Sequence, residues 1–384
     1  MTTARFLQIH TLHSYTAALI NRDDTGQAKR LVYGGKSRTR ISSQCLKRHW
    51  RMAREEKNGK VVRDDPHALQ HLAGYVDSAR SRELVTERVI RPLRGRFSDE
   101  IVGALEPAFQ KLVYGEKADK GKKSRQTLLL GQPELDWLAA RAEEIARNSN
   151  DGATAAKQVE EWAKDKNFKT MADNAALPGG LAAALFGRMV TSDPAANIEA
   201  PVHVAHAFTV HAVEHESDYF TAVDDLKKDE DDGGADTIQE TELTSGLFYG
   251  YVVIDLPGLI ANCGYDADLA ARVVHNLVHL IAEVSPGAKL GSTAPYGRAD
   301  LMLIEAGDRQ PRSLATAYRE AISHDFGKAR DALADHLARL DETYATGEAR
   351  AHLCLDGALP GVEKRALTPL AEWTADRVRE APRA

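Results

Sequence analysis

Apolar and polar side chains alternate at the start of the chain. Phe6, Gln8 and His10 fall on one face of an extended segment, and Leu7 and Ile9 fall on the other. A period of two residues is typical of a strand with one face in the core. The sequence therefore predicts a half-buried first strand.

Two further segments with strand character occur later, at 201–213 and 246–256. Between them lies the segment 224–236, which is rich in acidic residues and contains a pair of glycines. Extended arms on either side of a polar, glycine-containing stretch are typical of a hairpin. We expect a long hairpin here, with a mobile tip.

Helical spacing dominates elsewhere. Apolar residues recur every three to four positions in 134–147, 155–164 and 266–284, which predicts amphipathic helices. The alanine-rich stretch from about 60 to 180 is interpreted as an inserted helical subdomain. Strands on both sides of such a block predict an α+β core decorated by insertions.

Composition limits the class of protein. The chain has 384 residues, of which 43% are hydrophobic and 28% charged, as in ordinary globular proteins. The formal charge of −6 does not indicate a nucleic-acid-binding protein, because such proteins usually carry a net positive field. Any contact with nucleic acid must come from a local patch.

Cysteine usage and the N-terminal residues indicate the compartment. Cys45, Cys263 and Cys354 are far apart and form no CxxC pair, so neither a disulfide framework nor a thiolate zinc site is expected. The N-terminus lacks the layout of a signal peptide, and no apolar run approaches the ~20 residues of a membrane span. We expect a soluble, cytoplasmic protein with no membrane partner.

The strongest local signal is an uninterrupted run without Asp or Glu, from Thr25 to Arg54, that contains nine Lys and Arg residues. We call it the acid-free segment. Ser42 and Ser43 in it are good N-caps, and the N–H groups and dipole of a helix start favour an anion. Phosphate binding explains this pattern, and so does a solvated basic face or a surface that docks onto an acidic neighbour.

Histidines raise the question of a metal site. His275 and His279 have helical i, i+4 spacing, but Asn276 replaces the glutamate of a zinc-protease HExxH motif. A second group, His203, His206, His211 and His215, does not share one strand parity. Ordinary surface or core histidines are the favoured interpretation, and we expect no metal and no cofactor.

Catalytic groups are also few. Asp23 and Asp24 fit metal-assisted phosphodiester cleavage, and a polar turn explains them equally well. Cys45 and His49 lie one helical turn apart, but nothing in the sequence would orient the imidazole, so Cys45 is interpreted as a small packed residue.

Several long stretches resemble the CasC family, the guide-RNA-binding backbone subunit of the type I-E CRISPR Cascade complex. The resemblance begins with NRDD at 21–24 and GGKSRTRISSQCLKRHWR at 34–51. It continues, in order, at 185–211, 218–226, 286–290 and 313–321. It spans the chain apart from most of 55–180.

The resemblance implies an α+β fold with a modified RRM-like (ferredoxin-like) palm, formed by 1–58 and 181–384. It further implies a helical fingers insertion at 59–180 and a β-hairpin thumb at 213–244. Gly250 and Leu290 stand where the family pattern has Arg and Gln. The tip at 227–236 is longer and more acidic than in the family.

The family's role implies a non-catalytic protein of an antiviral ribonucleoprotein that polymerises head to tail along guide RNA. Its partners would be CRISPR guide RNA, target DNA through that guide, further copies of itself and other Cascade subunits. The RNA-binding residues transferred by position are Arg22, Lys29, Lys36, Arg40, Ser42, Gln44, Lys47, Arg48, Arg51, Arg188, Met189, Phe220 and Lys289.

Two other functions remain open. One is a metal-dependent ribonuclease that uses Asp23 or Asp24, as in related backbone subunits of other CRISPR types. The other is a structural subunit that binds no RNA.

Overall fold

Most strands join one mixed, largely antiparallel sheet in the computed structural model, which describes residues 4–116, 118, 121–164, 177–190, 193–222 and 237–382. The strands of these residues are β1 (Phe6–Ala18), β2 (Arg30–Tyr33), β3 (Lys36–Ile41), β4 (Arg54–Lys57), β5 (Lys60–Asp64), β6 (Ser78–Ser81), β7 (Leu128–Gly131), β8 (Val202–Val204), β9 (Ala207–Thr209), β10 (His215–Ala222), β11 (Thr237–Asp255), β12 (Ala299–Gly307), β13 (Ala349–Cys354) and β14 (Glu363–Lys364).

The sheet follows the order β14-β13-β12-β1-β11-β9-β3-β2, and β10 pairs with β11. The helices of the described residues are α1 (Ser43–Arg51), α2 (Asp99–Tyr114), α3 (Gln132–Asn148), α4 (Gly152–Ala163), α5 (Gly180–Phe186), α6 (Leu256–Asn262), α7 (Ala267–Glu283), α8 (Leu290–Thr293), α9 (Phe326–Tyr344) and α10 (Leu367–Arg379). The fold is therefore α+β, as expected. Within the described ranges, no helix has both the length and the apolar character needed to cross a bilayer.

The chain divides into two compact units. The first comprises Met1–Leu69, Val204–Ile254 and Ala271–Pro382, and the second comprises Gln70–His203, Asp255–Ala270 and Arg383–Ala384. The palm, fingers and thumb boundaries stay predictions.

The first strand is buried on both faces, so the prediction of a half-buried strand is wrong. β1 pairs with β12 in antiparallel register, with Ile9 opposite Ile304, and is also a neighbour of β11. Gln8 and His10, on the polar face, are buried like Leu7 on the other. The polar face is tolerated because its groups are paired. The Gln8 side-chain oxygen, for example, accepts from the Tyr251 hydroxyl at 2.8 Å.

The second unit has its own apolar core, to which α2, α3 and α4 contribute residues such as Phe109, Leu138 and Val159. The helices predicted at 134–147 and 155–164 are confirmed. Strands β6 and β7, which pair in antiparallel register, interrupt the helical block that the sequence predicted.

A long hairpin is present as predicted, but its first arm is β10, which follows the predicted arm at 201–213; that segment forms the short strands β8 and β9. β10 and β11 pair from His215 opposite Thr244 to Ala222 opposite Thr237. The acidic tip predicted at 224–236 lies outside the described residues.

Candidate nucleic-acid interface

The acid-free segment forms the β2–β3 hairpin and then α1, all in the first unit. Gly34 and Gly35 make the hairpin turn with φ values of +59° and +73°, which glycine adopts without strain. A Cβ on Gly34 would lie 1.6 Å from the carbonyl oxygen of Arg319. Only glycine allows this approach, so the turn is fixed against the body of the unit.

Arg38 is structural rather than part of an exposed cationic surface. It is completely buried, and its guanidinium donates to the carbonyl oxygens of Thr209 at 3.0 Å and Tyr318 at 3.2 Å. These bonds tie β3 to its neighbours. Arg38, one of the nine cations of the acid-free segment, therefore does not form part of its exposed surface.

Other cations of the segment converge on His206. A guanidinium nitrogen of Arg40 lies 3.0 Å from Nδ1 of His206. Partial burial lowers the pKa of His206, and the nearby charges of Arg40, Lys29 and Lys47 lower it further. His206, which the sequence suggested only as a possible metal ligand, thus lies among cations of the acid-free segment, and such a group favours an anion.

Helix α1 has an apolar face and a polar face. Trp50 is buried, and Cys45 and Leu46 pack against the core of the first unit. This contact confirms the predicted packing role of Cys45, and the accompanying burial raises the pKa of its thiol to about 11. Four predicted contacts lie on one side of the helix at i, i+3, i+4 and i+7, namely Gln44, Lys47, Arg48 and Arg51.

The start of α1 is capped as predicted. The Ser42 hydroxyl accepts from the Cys45 backbone N–H at 3.3 Å. The backbone N–H of Ser42 donates to the Asn21 side-chain oxygen at 2.9 Å. The first turn carries no acidic residue. The partial positive charge of the helix start therefore adds to the neighbouring cations.

Asp23 closes the turn that precedes β2. One carboxylate oxygen accepts from the backbone N–H groups of Thr25 at 2.9 Å and Gln27 at 3.0 Å, and from the Thr25 hydroxyl at 2.7 Å. The Thr25 hydroxyl is the main cause of the lowered pKa of Asp23. These hydrogen bonds support the interpretation of Asp23 as part of a polar turn.

A carboxylate from β11 meets the acid-free segment in space. Glu242 pairs with Arg30 and accepts from the Ala28 backbone N–H at 2.8 Å. In the adjacent residue, the Thr241 hydroxyl accepts from the ammonium group of Lys289. The base of the hairpin thus touches both the acid-free segment and the predicted contact at Lys289, and the expectation of charge without counter-charge is wrong at Arg30.

The remaining predicted contacts of the first unit lie at its surface. The exposed ones are Arg22, Lys36, Gln44, Arg48 and Lys289; the half-buried ones are Lys29, Arg40, Ser42, Lys47 and Arg51.

In the second unit, Arg188 is not available to RNA, so the predicted contact of its side chain is wrong. Arg188 is buried, and its guanidinium lies 2.5 Å from the carboxylate of the equally buried Glu134. It also donates to the Ala196 carbonyl at 2.8 Å. The sequence could not show this pairing, because Glu134 lies on a helix far away in the chain.

Met189 has the opposite environment. Its side chain is 65% exposed, while its carbonyl accepts from the Gln126 side chain at 2.9 Å and the next residue, Val190, is buried. An apolar side chain is thus presented on a fixed backbone. For Phe220, the structure gives the backbone register opposite Gln239 in the hairpin, and the side chain lies outside what is described.

Comparison with known proteins identifies the family. A model of CT1975-like proteins matches residues 7–375. The chain belongs to the CT1975-like protein family. The CT1975-like chain is similar to a chain of a "CRISPR RNA-guided surveillance complex, pre-nicking", at 27% identity and a TM-score of 0.76, over 97% of this chain and 100% of the other.

A chain of a second "CRISPR RNA-guided surveillance complex" shares the fold, at 23% identity and a TM-score of 0.59, over 97% of this chain and 98% of the other. A search of curated proteins found no match. The resemblance to the CasC family of Cascade backbone subunits is confirmed.

In the CT1975-like chain, a side chain at position 250 would meet Thr11. A Cβ on Gly250 would lie 2.6 Å from the hydroxyl oxygen of Thr11. The cavity beside it, also lined by His13 and Phe248, holds only about 30 Å³. The arginine of the family pattern would therefore need Thr11 to move.

Proposed function

We propose that this CT1975-like chain is a non-catalytic backbone subunit that holds the guide RNA of a type I-E Cascade complex by its phosphates. The convergence of Arg40, Lys29 and Lys47 around His206 carries the proposal. The polar stripe of α1 continues this basic surface. Phosphate contacts hold a strand without reading its sequence, and the base edges are then free to pair with target DNA.

The order of elements supports a modified RRM-like palm. Strand β1, helix α1, strands β9 and β11, helix α7 and strand β12 follow one another along the chain in the sequence βαββαβ, with insertions between them. In the sheet the strands lie in the order β12-β1-β11-β9. Both orders agree with the ferredoxin-like arrangement on which RRM domains are built, which supports the proposed palm. We assign 59–180 to the fingers and 213–244 to the thumb.

The partners follow from the relative at 27% identity, which comes from an RNA-guided surveillance complex. The chain would bind guide RNA, other Cascade subunits, target DNA through the guide, and copies of itself in a head-to-tail row. Met189 and Phe220 would contact bases of the RNA, since apolar contacts with base faces are indifferent to sequence.

A ribonuclease that uses Asp23 or Asp24 is less well supported, because the Asp23 carboxylate is committed to its own turn. The two functions are separated by incubating the assembled protein with labelled complementary RNA and Mg²⁺. Cleavage that disappears in both Asp23→Ala and Asp24→Ala would replace our proposal with the ribonuclease.

A salt titration tests the phosphate contacts. Each phosphate contact with single-stranded RNA contributes about 0.7 to the slope of log K against log salt. We expect Lys47→Ala and Arg48→Ala each to lower that slope by about this amount in fluorescence anisotropy with a short RNA. Arg309→Ala is the control, because Arg309 is an exposed cation of the same unit outside the acid-free segment.

Equal slopes for the wild type and both α1 variants would contradict phosphate binding by α1. If charge reversal at Lys47 and Arg51 also left the co-purified nucleic acid unchanged, the chain would be an RNA-independent structural subunit.

A further inference from the structure

His206 adjoins the start of α1 in the first unit. Strands β3 and β9 pair in antiparallel register, with Ile41 opposite Ala207. The next residue beyond this pair is Ser42, the cap of α1, on one strand and His206 on the other. The fold thus brings an exposed histidine to a helix start whose first turn carries no acidic residue.

The bond to Arg40 fixes the tautomer of His206. A guanidinium can only donate, so Nδ1 of the ring, 3.0 Å from the Arg40 nitrogen, is the acceptor. In the neutral ring the proton is then on Nε2. Because the residue is exposed, this N–H can donate to a ligand that arrives from solvent. Nε of Arg40 also donates to the Arg30 carbonyl at 3.3 Å, which holds the guanidinium beside the ring.

The neighbouring His211 lacks such a donor. Its Nδ1 donates to the Ala212 carbonyl at 2.7 Å, and its Nε2 accepts from the Leu247 N–H at 3.1 Å. Both ring nitrogens of His211 are therefore engaged within the protein, and His211 itself is buried. Of these two histidines, His206 alone can present an N–H to a ligand.

The charges around His206 disfavour its imidazolium form in the free protein. They come from three elements: Arg40 of β3, Lys29 before β2 and Lys47 of α1. Partial burial is the largest cause of the lowered pKa of His206, and these cations lower it further. A phosphate placed among the same cations would offset their charge and attract the imidazolium directly. The pKa of His206 should therefore be higher in a complex with RNA than in the free protein.

We propose that His206 is a further contact to the guide RNA, whose Nε2–H donates to a phosphate oxygen beside Arg40, and that this phosphate favours uptake of a proton by the ring. The proton comes from solvent and binds to Nδ1. Arg40 can then no longer donate to that nitrogen, and its N–H is released toward the phosphate. The inference rests on the proposed function, since it requires RNA on this surface.

Proton uptake gives RNA binding a pH dependence of known sign. If the pKa of His206 is higher in the complex, the complex binds more protons than the free protein does. RNA affinity then rises as the pH falls through the pKa of the complex, and it levels off below the pKa of the free protein. One proton changes Kd by at most about tenfold per pH unit.

The first test measures RNA affinity by fluorescence anisotropy at constant ionic strength between about pH 7.5 and 5.5, a range that spans the ordinary histidine pKa. His206→Gln keeps an N–H donor and an acceptor for Arg40 but does not titrate, so its affinity should rise less on acidification than that of the wild type. His206→Ala also loses the donor and should bind RNA more weakly already at the upper end of this range.

His324→Gln is the control for this test. His324 is an exposed histidine of the same unit, and its charged neighbour is the carboxylate of Glu214 at 3.4 Å rather than a cation of the acid-free segment. Its pH dependence should follow the wild type. Far-UV circular dichroism checks that each variant is folded across the pH range.

The second test follows the ring directly by NMR of protein with ¹⁵N-labelled histidine, in which the His206 signal is assigned by its loss in His206→Gln. We expect the pKa of His206 to rise on addition of a short RNA, and to rise less with inorganic phosphate at the same phosphate concentration. An unmoved pKa, or an equal rise with inorganic phosphate, would overturn the inference. A His206→Gln variant with the pH dependence of the wild type would do the same.

Failure of this inference is distinguishable from failure of the proposed function. If the wild type binds RNA with the expected salt slope but shows either of those results, only the contact at His206 is overturned. If the wild type binds RNA without a salt slope, or not at all, both are overturned, because no phosphate then lies on this surface.

Discussion

Two adjacent residues, Arg188 and Met189, have opposite environments, and their substitution should have opposite effects. Arg188→Ala leaves the buried carboxylate of Glu134 without its partner. Removing one member of a buried ion pair typically costs about 3–5 kcal/mol. We expect the free energy of unfolding, measured by urea denaturation with a probe in the second unit, to fall by about that amount.

Met189→Ala is the matched control for Arg188→Ala. Because the Met189 side chain is exposed, its loss should leave the free energy of unfolding nearly unchanged. If Met189 contacts bases, RNA affinity should fall with an unaltered salt slope, because no phosphate contact is lost. A reduced salt slope in a fully stable Arg188→Ala variant would instead restore Arg188 as an RNA contact.

Arg38 and Arg188 show why a charge pattern in a sequence overestimates the number of residues in a binding interface. Both look like the exposed Arg48, because sequence reasoning detects the absence of nearby acidic residues but not burial. The carbonyl of Thr209 and the carboxylate of Glu134 reach these arginines only through the fold. By contrast, the Ser42 cap was predictable, since capping depends on residues within one helical turn.

At the scale of elements, a buried polar network connects the central strands. His10 of β1 lies 3.1 Å from the carboxylate of Glu305 in β12, and its other ring nitrogen accepts from the Tyr249 hydroxyl of β11 at 2.8 Å. Arg312 and Arg350 complete the shell around Glu305. Alternation along β1 predicted a strand correctly but not this second buried face, because its partners come from distant segments.

This network predicts that acid destabilises the protein. Burial lowers the pKa of His10. Burial by itself raises the pKa of Glu305, but hydrogen bonds from His10 and Arg312 outweigh it and hold that pKa well below its usual value. Both folded-state pKa values thus lie below the unfolded ones, so the unfolded chain binds protons first and stability is lost as the pH falls.

For His10, the loss begins below a pH of about 6.5, the unfolded value, and one proton corresponds to about 1.4 kcal/mol per pH unit. His10→Gln should therefore flatten the dependence of the free energy of unfolding on pH between about 6.5 and 5.5. The exposed His215→Gln serves as the control. An equal slope in His10→Gln and the wild type would show that His10 does not contribute.

The contact between β11 and the β2–β3 hairpin leads to a prediction about RNA. Glu242 neutralises Arg30 and holds the backbone of Ala28. Glu242→Gln removes the charge but keeps an oxygen that can accept from Ala28. Arg30 would then be free to meet a phosphate, and the salt slope of RNA binding should become steeper by up to about 0.7. An unchanged or shallower slope would place Arg30 away from the RNA.

At the scale of the whole molecule, a net charge of −6 coexists with a concentrated basic surface. The overall charge argued against binding of nucleic acid, whereas the concentration of cations in one segment argued for it. The family was recognisable because its motifs are long and contiguous, such as the run from Gly34 to Arg51. The buried pair of Arg188 and Glu134 was less accessible, since it depends on a contact between distant segments.

Assembly on RNA provides the last prediction. If each copy holds phosphates and does not read bases, every copy should cover a constant number of nucleotides regardless of sequence. Mass photometry should then show the number of copies rising in proportion to RNA length, for example between strands of about 20, 40 and 60 nucleotides. The rise should be equal for two unrelated sequences of each length.

The combined Lys47→Ala and Arg48→Ala variant should need lower salt to reach the same occupancy, because it has fewer phosphate contacts. A fixed number of copies at every length, or assembly on only one of the sequences, would contradict a polymerising backbone, because neither outcome follows from phosphate contacts repeated along a strand.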